Sequence, residues 1–227
     1  MTMRTPRLTY TLRALAFLLR YPDAQVRALA PQAWQAMADE GAVPRARLQR
    51  LQALVQAWQQ QDGYDVEAAY VETFDRGRST SLYLFEHVHG DARERGPAMI
   101  DLWQTYEAAG LRLRSRELPD HLPVLLEFAS TQPPEVARAL VGEVAHILNA
   151  IIGALLRRHS RYADVLCAVL EACGQRVQPA EPHPEPALDD SWAEPAAFGG
   201  CPSAASAGGE QPVQFVRRRD AAAVPIV

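Results

Sequence analysis

The sequence contains no lysine: all 23 basic residues are arginine, set against 27 acidic ones for a formal charge of −4. The use of one basic residue throughout reflects genome composition, and no function is read from it. The balance itself excludes more. A mildly acidic chain without a basic stripe is a poor partner for nucleic acid, where phosphate contacts dominate affinity. Cysteine is sparse as well. Cys167, Cys173 and Cys201 are odd in number and lack CxxC spacing, which argues against a disulfide framework and for free thiols in a reducing compartment. Long apolar runs are missing, and nothing approaches the roughly 20 residues that a membrane span needs. The apolar run Ala14-Leu-Ala-Phe-Leu-Leu19 behind Arg4, Arg7 and Arg13 is short, is closed by Arg20-Tyr-Pro22, and has no small-residue cleavage site. A soluble, cytoplasmic protein is expected, with no membrane insertion.

What is present is helical periodicity. Leu12, Leu15, Ala16 and Leu19 repeat at helical spacing until Pro22. Asp23 can cap a second helix through Val26 and Leu29, with a break near Pro31 before Trp34 and Met37, and Gly41 ends it. Pro44 suits the start of a third, whose stripe is Leu48, Leu51, Leu54, Val55 and Trp58. Asp65 opens a short helix towards Phe74, Ser79 or Thr80 caps another through His87, and 93–109 gives a further one ended by Gly110. The broadest apolar face belongs to 135–158, read as one central helix in which Gly142 and Gly153 allow other helices to approach closely. No sustained period-two alternation argues for a sheet. The composition then shifts. Eight of the 17 prolines follow Gly174, among Ala, Ser, Gly and acidic residues. The expected organisation is an all-α domain over 1–174 and a largely disordered tail over 175–227, too poor in apolar groups to offset its ordering entropy. Trp192, Phe198 and Val213-Gln-Phe-Val-Arg-Arg-Arg219 are the tail's candidate docking elements, or simply unselected apolar residues.

Two motifs carry the chemistry. The first, Tyr70 to Asp91, mixes aromatics, charges and histidines around Gly77. Leu82, Tyr83, Leu84 and Phe85 form an apolar run that one helical face cannot bury whole, so part of it must meet another helix or a partner. His87-Val-His89-Gly-Asp91 invites a metal reading, because HxHxDH is a zinc signature of hydrolases. Ala92 stands where that signature needs its last histidine, and the strands of that fold are absent. A metal-dependent hydrolase using His87, His89, Asp91 and His121 remains the alternative from a different functional class. The second motif is Glu117-Leu-Pro-Asp-His-Leu-Pro123, in which Pro119 and Pro123 stiffen the backbone on either side of Asp120 and His121. Asp120 can cap the helix that runs through Leu125 and Phe128, and His121 can exchange donor and acceptor roles near neutral pH. A groove formed by Leu82, Tyr83 and Phe85 and rimmed by Asp75, Glu86, Glu117 and Asp120 would suit a basic amphipathic helix.

In this order the two motifs resemble the NarJ-type nitrate reductase assembly chaperones, a branch of the TorD-like all-helical superfamily. The resemblance runs from about Tyr10 to Tyr162. It implies a single-domain helical bundle without catalytic activity and without a cofactor of its own. It also implies a partner: the catalytic (alpha) subunit of a respiratory nitrate reductase, bound through its N-terminal peptide. The chaperone would keep that subunit competent for molybdenum cofactor insertion before membrane attachment, alongside proteins of molybdenum cofactor biosynthesis. In that superfamily the acidic–x–Pro–Asp–His motif borders the peptide site, and Glu117, Asp120 and His121 match it residue by residue. Leu122-Pro123 looks like the continuation typical of the nitrate reductase branch.

Overall fold

A computed structural model describes residues 7–88, 94–113 and 117–180. His89, Asp91, Arg93 and the tail aromatics lie outside these residues. Within them the chain is helical, in agreement with the all-α expectation. The first helix, α1 (Thr9–Leu18), is the centre of the packing. Leu12, Leu15 and Leu18 are completely buried, against α2 (Ala24–Glu40), α7 (Leu122–Thr131) and α10 (Ala163–Ala172). The apolar run that resembled a leader is therefore core.

α2 starts where Asp23 Oδ1 accepts the Val26 N–H at 2.8 Å, and it stops at Gly41, whose φ of 72° suits a residue without Cβ. Pro31 does not break it. A proline inside a helix leaves the carbonyl four residues back without its N–H partner. Here that carbonyl, on Arg27, accepts from Gln59 Nε2 at 2.6 Å. Gln59 belongs to α3 (Arg45–Gln60), so the break expected from sequence is repaired by a neighbouring helix. α4 (Gly63–Phe74) opens earlier than expected, because Asp62 rather than Asp65 caps it.

The long helix expected over 135–158 is two helices. α8 (Pro134–Glu143) and α9 (Ala145–Arg157) meet at Val144 and are bent by 62°. The bend divides the broad apolar face: α8 packs on α7 and α10, while α9 packs on α10 and the 3₁₀ turn Arg78–Thr80. Among the described residues no single helix is long and apolar enough to cross a membrane. The bent α8–α9 pair passes only by joint length and composition, and Leu148, Ile151, Ile152 and Leu155 are fully buried inside the protein. α3 is tied to α10 by Arg47, which pairs with Asp164 and, at 2.7 Å, with Glu171.

Gly142 and Gly153 admit chain rather than helix. A Cβ on Gly153 would lie 2.1 Å from the Ala180 carbonyl oxygen, and one on Gly142 would lie 3.0 Å from Gln175 Nε2. Beyond α10 the chain runs back along α9, with the Gln178 N–H donating to Asn149 Oδ1 at 2.6 Å and the Ala180 N–H to the Asn149 carbonyl at 3.2 Å. Contacts with the bundle thus extend past the boundary read at Gly174, through at least Ala180. Truncation after Ala180 is expected to preserve the cooperative far-UV circular dichroism melt of the full chain. Truncation after Gly174 should lower its midpoint by several degrees, because it strips Val177 and the three Asn149 bonds to Arg176, Gln178 and Ala180.

Candidate functional site

The two sequence motifs fold against each other. Residues 81–83 are extended rather than helical, and Tyr83 forms an antiparallel bridge with His121. The Leu122 N–H donates to the Leu82 carbonyl at 2.8 Å, and the Leu84 N–H donates to the Asp120 carbonyl at 3.1 Å. This pairing delays the helix expected from Ser79 or Thr80, so α5 begins only at Leu84 (Leu84–Val88). The Asp120 side chain serves that helix: its Oδ2 accepts the Phe85 N–H at 3.0 Å. The cap it was expected to supply to its own helix is absent, since α7 has His121 at its N-cap with no side-chain bond.

Asp120 is fully buried, which corrects its expected place on the groove rim. Burial pushes its carboxyl up from the ordinary carboxylate range, while the Phe85 N–H and the charge of Arg95 oppose that shift. Its Oδ1 has no hydrogen-bond partner among the described residues. A raised value means that Asp120 favours folding most below its unfolded pKa, and that this contribution is lost as pH rises through the folded one. Asp120→Asn, which keeps one acceptor and removes the buried charge, is expected to hold stability at pH 7 within about 1 kcal/mol of wild type. Asp120→Ala should cost about 1–3 kcal/mol, because the first turn of α5 loses its cap. Chemical denaturation of both variants checks this.

A cleft of about 590 Å³ opens where the ends of α1 and α4 meet the start of α7. Its aromatic floor is Tyr21, Tyr70 and Phe74: Tyr21 meets Tyr70 edge-on at 5.6 Å, and Tyr70 lies 4.8 Å from Phe74. The Tyr70 hydroxyl donates to the Leu19 carbonyl at 2.9 Å, which fixes the ring. One wall is Tyr83 and His121, stacked at 4.9 Å with 27° between their planes. The Tyr83 hydroxyl donates to Glu117 Oε2 at 2.9 Å. Burial, and then this bond to a carboxylate, raise the Tyr83 phenol to about 12, so it stays a donor. The charged groups lining the cleft are Arg20 against Asp23, Asp75, Glu117 and Glu127, an acidic surplus.

Of the expected groove residues, Asp75, Leu82, Tyr83, Glu117 and His121 line this cleft, although the Leu82 side chain is itself buried. Phe85 and Glu86 do not line it. Glu86 faces Arg95 at 3.5 Å, at the start of α6 (Arg95–Ala108). Tyr21, Tyr70 and Phe74 were missed as site residues. The i, i+4 spacing of Tyr70 and Phe74 signalled that these two rings share a helix face. The metal reading gains no support from position. His87 Nε2 lies 2.9 Å from the Ser81 carbonyl, whereas the His121 ring stacks on Tyr83. Among the described residues no three metal-binding side chains are grouped to hold an ion.

The paired motifs and most of the cleft lining sit within a stretch that matches a known family. The model of the nitrate reductase delta subunit family covers residues 40–168, more than half of the chain. The chain belongs to this family. Its relatives include the nitrate reductase molybdenum cofactor assembly chaperone NarJ of Escherichia coli K12, 40% identical over 177 residues, covering 77% of this chain and 75% of the relative. The Bacillus subtilis 168 protein named as a probable chaperone of the same kind is 35% identical over 180 residues, covering 77% of this chain and 95% of that one. Both names describe assembly factors rather than catalysts. A solved structure assigned as a redox enzyme maturation protein from Archaeoglobus fulgidus aligns with a TM-score of 0.53 at 19% identity, over 72% of this chain and 91% of that one. At that identity the likeness supports the helical fold alone.

Burial lowers the His121 imidazole from its ordinary value, against the pull of Glu117, whose Oε2 lies 3.7 Å from Nδ1. The ring is therefore neutral at pH 7. With a depressed folded value, the stability tied to the neutral ring is intact above the unfolded pKa near 6.5 and is lost as pH falls through the folded one. Wild type should lose more stability between pH 7 and pH 5 than His121→Gln does, as read by denaturant melts at each pH.

Proposed function

We propose that this family member is a nitrate reductase assembly chaperone. It holds the N-terminal segment of the catalytic alpha subunit in the acidic cleft and keeps that subunit open for molybdenum cofactor insertion before the complex reaches the membrane. The observation that carries this reading is the cleft itself. An aromatic floor beneath four carboxylates and a single arginine suits a basic amphipathic helix, with apolar residues on Tyr21, Tyr70 and Phe74 and cations at the rim. The family membership and the names of the relatives support nitrate reductase as the client. The work required is binding rather than bond making, so the chain acts without a nucleophile or a cofactor of its own. It acts in the cytoplasm, where the client is made, and the helical bundle with its paired motifs is the part that engages it.

Co-purification tests this directly. The tagged full chain, expressed with the nitrate reductase subunits, is expected to retain the alpha subunit. Deleting that subunit's N-terminal segment should abolish or strongly reduce the retention. Equal recovery of the truncated alpha subunit would sink the assignment of the segment while leaving the chaperone role standing.

A further inference from the structure

A second cleft of about 570 Å³ lies between α1, α6 and α7, and it shares only Val124 and Glu127 with the acidic one. The charges that belong to it alone are Arg13 and Arg112, whereas those belonging to the first cleft alone are Arg20, Asp23, Asp75 and Glu117. The two faces therefore have opposite polarity. Both Arg13 and Arg112 are exposed, and neither has a charged or hydrogen-bonded partner among the described residues. Between them the walls are apolar and aromatic, with Phe17, Tyr106 and Phe128 as the large rings. Tyr106 is anchored there. Its ring lies 4.5 Å from Phe128, and its hydroxyl donates to the Pro119 carbonyl at 2.8 Å.

α6 extends this surface. Ile100 and Trp103 are 54% and 46% exposed, and they precede Tyr106 at successive i, i+3 steps, so the three fall along one side of the helix. An exposed tryptophan on an apolar stripe that leads into a cleft is the residue type that anchors interfaces. We propose that this stripe and the second cleft form a docking surface for an acidic amphipathic helix of a protein partner. Its apolar side would cover Ile100 and Trp103, and its carboxylates would meet Arg13 and Arg112, whose planar guanidinium groups suit bidentate pairing. A basic helix of the kind that fits the first cleft would meet like charge here. The shared Glu127 lines this cleft and Glu107 follows Trp103 by one turn of α6, so recognition needs carboxylates placed opposite the two arginines, not net negative charge alone. The inference is independent of which segment fills the acidic cleft.

The probe is a fluorescein-labelled synthetic helix of leucine, alanine and glutamate, about five turns long, with leucine at i, i+3, i+4 and i+7. Its controls are a scrambled peptide of the same composition and a version with lysine in place of glutamate. Fluorescence anisotropy with the full chain is expected to show binding of the patterned acidic helix in preference to both controls. Arg13→Glu with Arg112→Glu should weaken that binding at least about tenfold and flatten its dependence on salt. Trp103→Ala should weaken it similarly without moving the melting temperature, since the side chain is half exposed. Tyr83→Ala, in the other cleft, should leave it unchanged. Equal binding of the scrambled or lysine peptide would overturn the proposal, as would indifference to the arginine and Trp103 variants. Sedimentation gives a second readout: a wild-type dimer that Trp103→Ala makes monomeric, with peptide binding intact, would assign the stripe to a second copy of the chain and also overturn it.

Discussion

Tyr83→Ala is expected to weaken binding of the client's N-terminal peptide by about 2 kcal/mol, roughly 30-fold, in a protein that remains folded. The side chain does three things at the cleft wall. It stacks on His121 at 4.9 Å, donates to Glu117 at 2.9 Å, and presents a half-buried aromatic edge beside the floor of Tyr21 and Tyr70. Removing it takes one restraint from each of His121 and Glu117, so the wall loses part of its preorganised shape as well as contact area. Phe85→Ala should leave the affinity within a few-fold, although sequence alone paired the two residues. Phe85 does not line the cleft, and its link to the site is the backbone N–H that donates to Asp120. Calorimetric titration of the same peptide into both variants decides the matter. Comparable losses in the two would move the groove towards α5, and unchanged affinity in a folded Tyr83→Ala protein would remove this cleft from the client reading.

Tyr162→Ala should have the largest effect on stability, about 3–5 kcal/mol, read as a drop in denaturation midpoint with little change in m-value. Tyr162 stands at the centre of an aromatic cluster that joins three helices. Its ring lies 4.8 Å from Phe74, 5.8 Å from Tyr70 and 6.1 Å from Trp58. Truncation leaves a cavity beneath the cleft floor, so Phe74 and Tyr70 lose their support and peptide affinity should fall with stability. Tyr162→Phe separates shape from polarity. The hydroxyl is buried with no partner among the described residues, and burial raises its ionisation well above the ordinary phenol range. Deleting an unpaired buried hydroxyl while keeping the ring should be neutral or stabilising. A loss above about 1 kcal/mol would show that the hydroxyl is satisfied in solution.

Much of the fold was legible because local rules and burial agreed. Asp23, Gly41 and Pro44 mark helix boundaries in the sequence and mark them in the structure. The stripe of Leu51, Leu54, Val55 and Trp58 is the buried face of α3. The misreadings came where a remote partner overrode a local signal. Pro31 reads as a break because its effect on the Arg27 carbonyl is local, whereas the amide that satisfies that carbonyl comes from Gln59, in another helix. The apolar periodicity of 135–158 is continuous, and it cannot show that the two halves pack on different neighbours across a bend at Val144.

The candidate site divides along the same line. Residue types and order within Tyr70–Asp91 and Glu117–Pro123 are enough to indicate an all-helical chain with the family's two motifs, because they are properties of short segments. Which of those residues face a ligand is a property of the pairing between segments. The isolated bridge between Tyr83 and His121 goes with a division of directions: Leu82 goes into the core, Tyr83 to the cleft wall, and the backbone of Leu84 and Phe85 to Asp120. Asp120 is thereby drawn inward to cap α5, while Glu117 stays exposed beside Tyr83. The sequence by itself determined the helical class, the core stripes and the two motifs, since each follows from spacing along one segment. Only the tertiary structure decided that Tyr21, Tyr70 and Phe74 make the floor, that Asp120 is a buried cap, and that a second cleft of opposite charge lies across α7. These depend on which segments meet, and no local pattern encodes that.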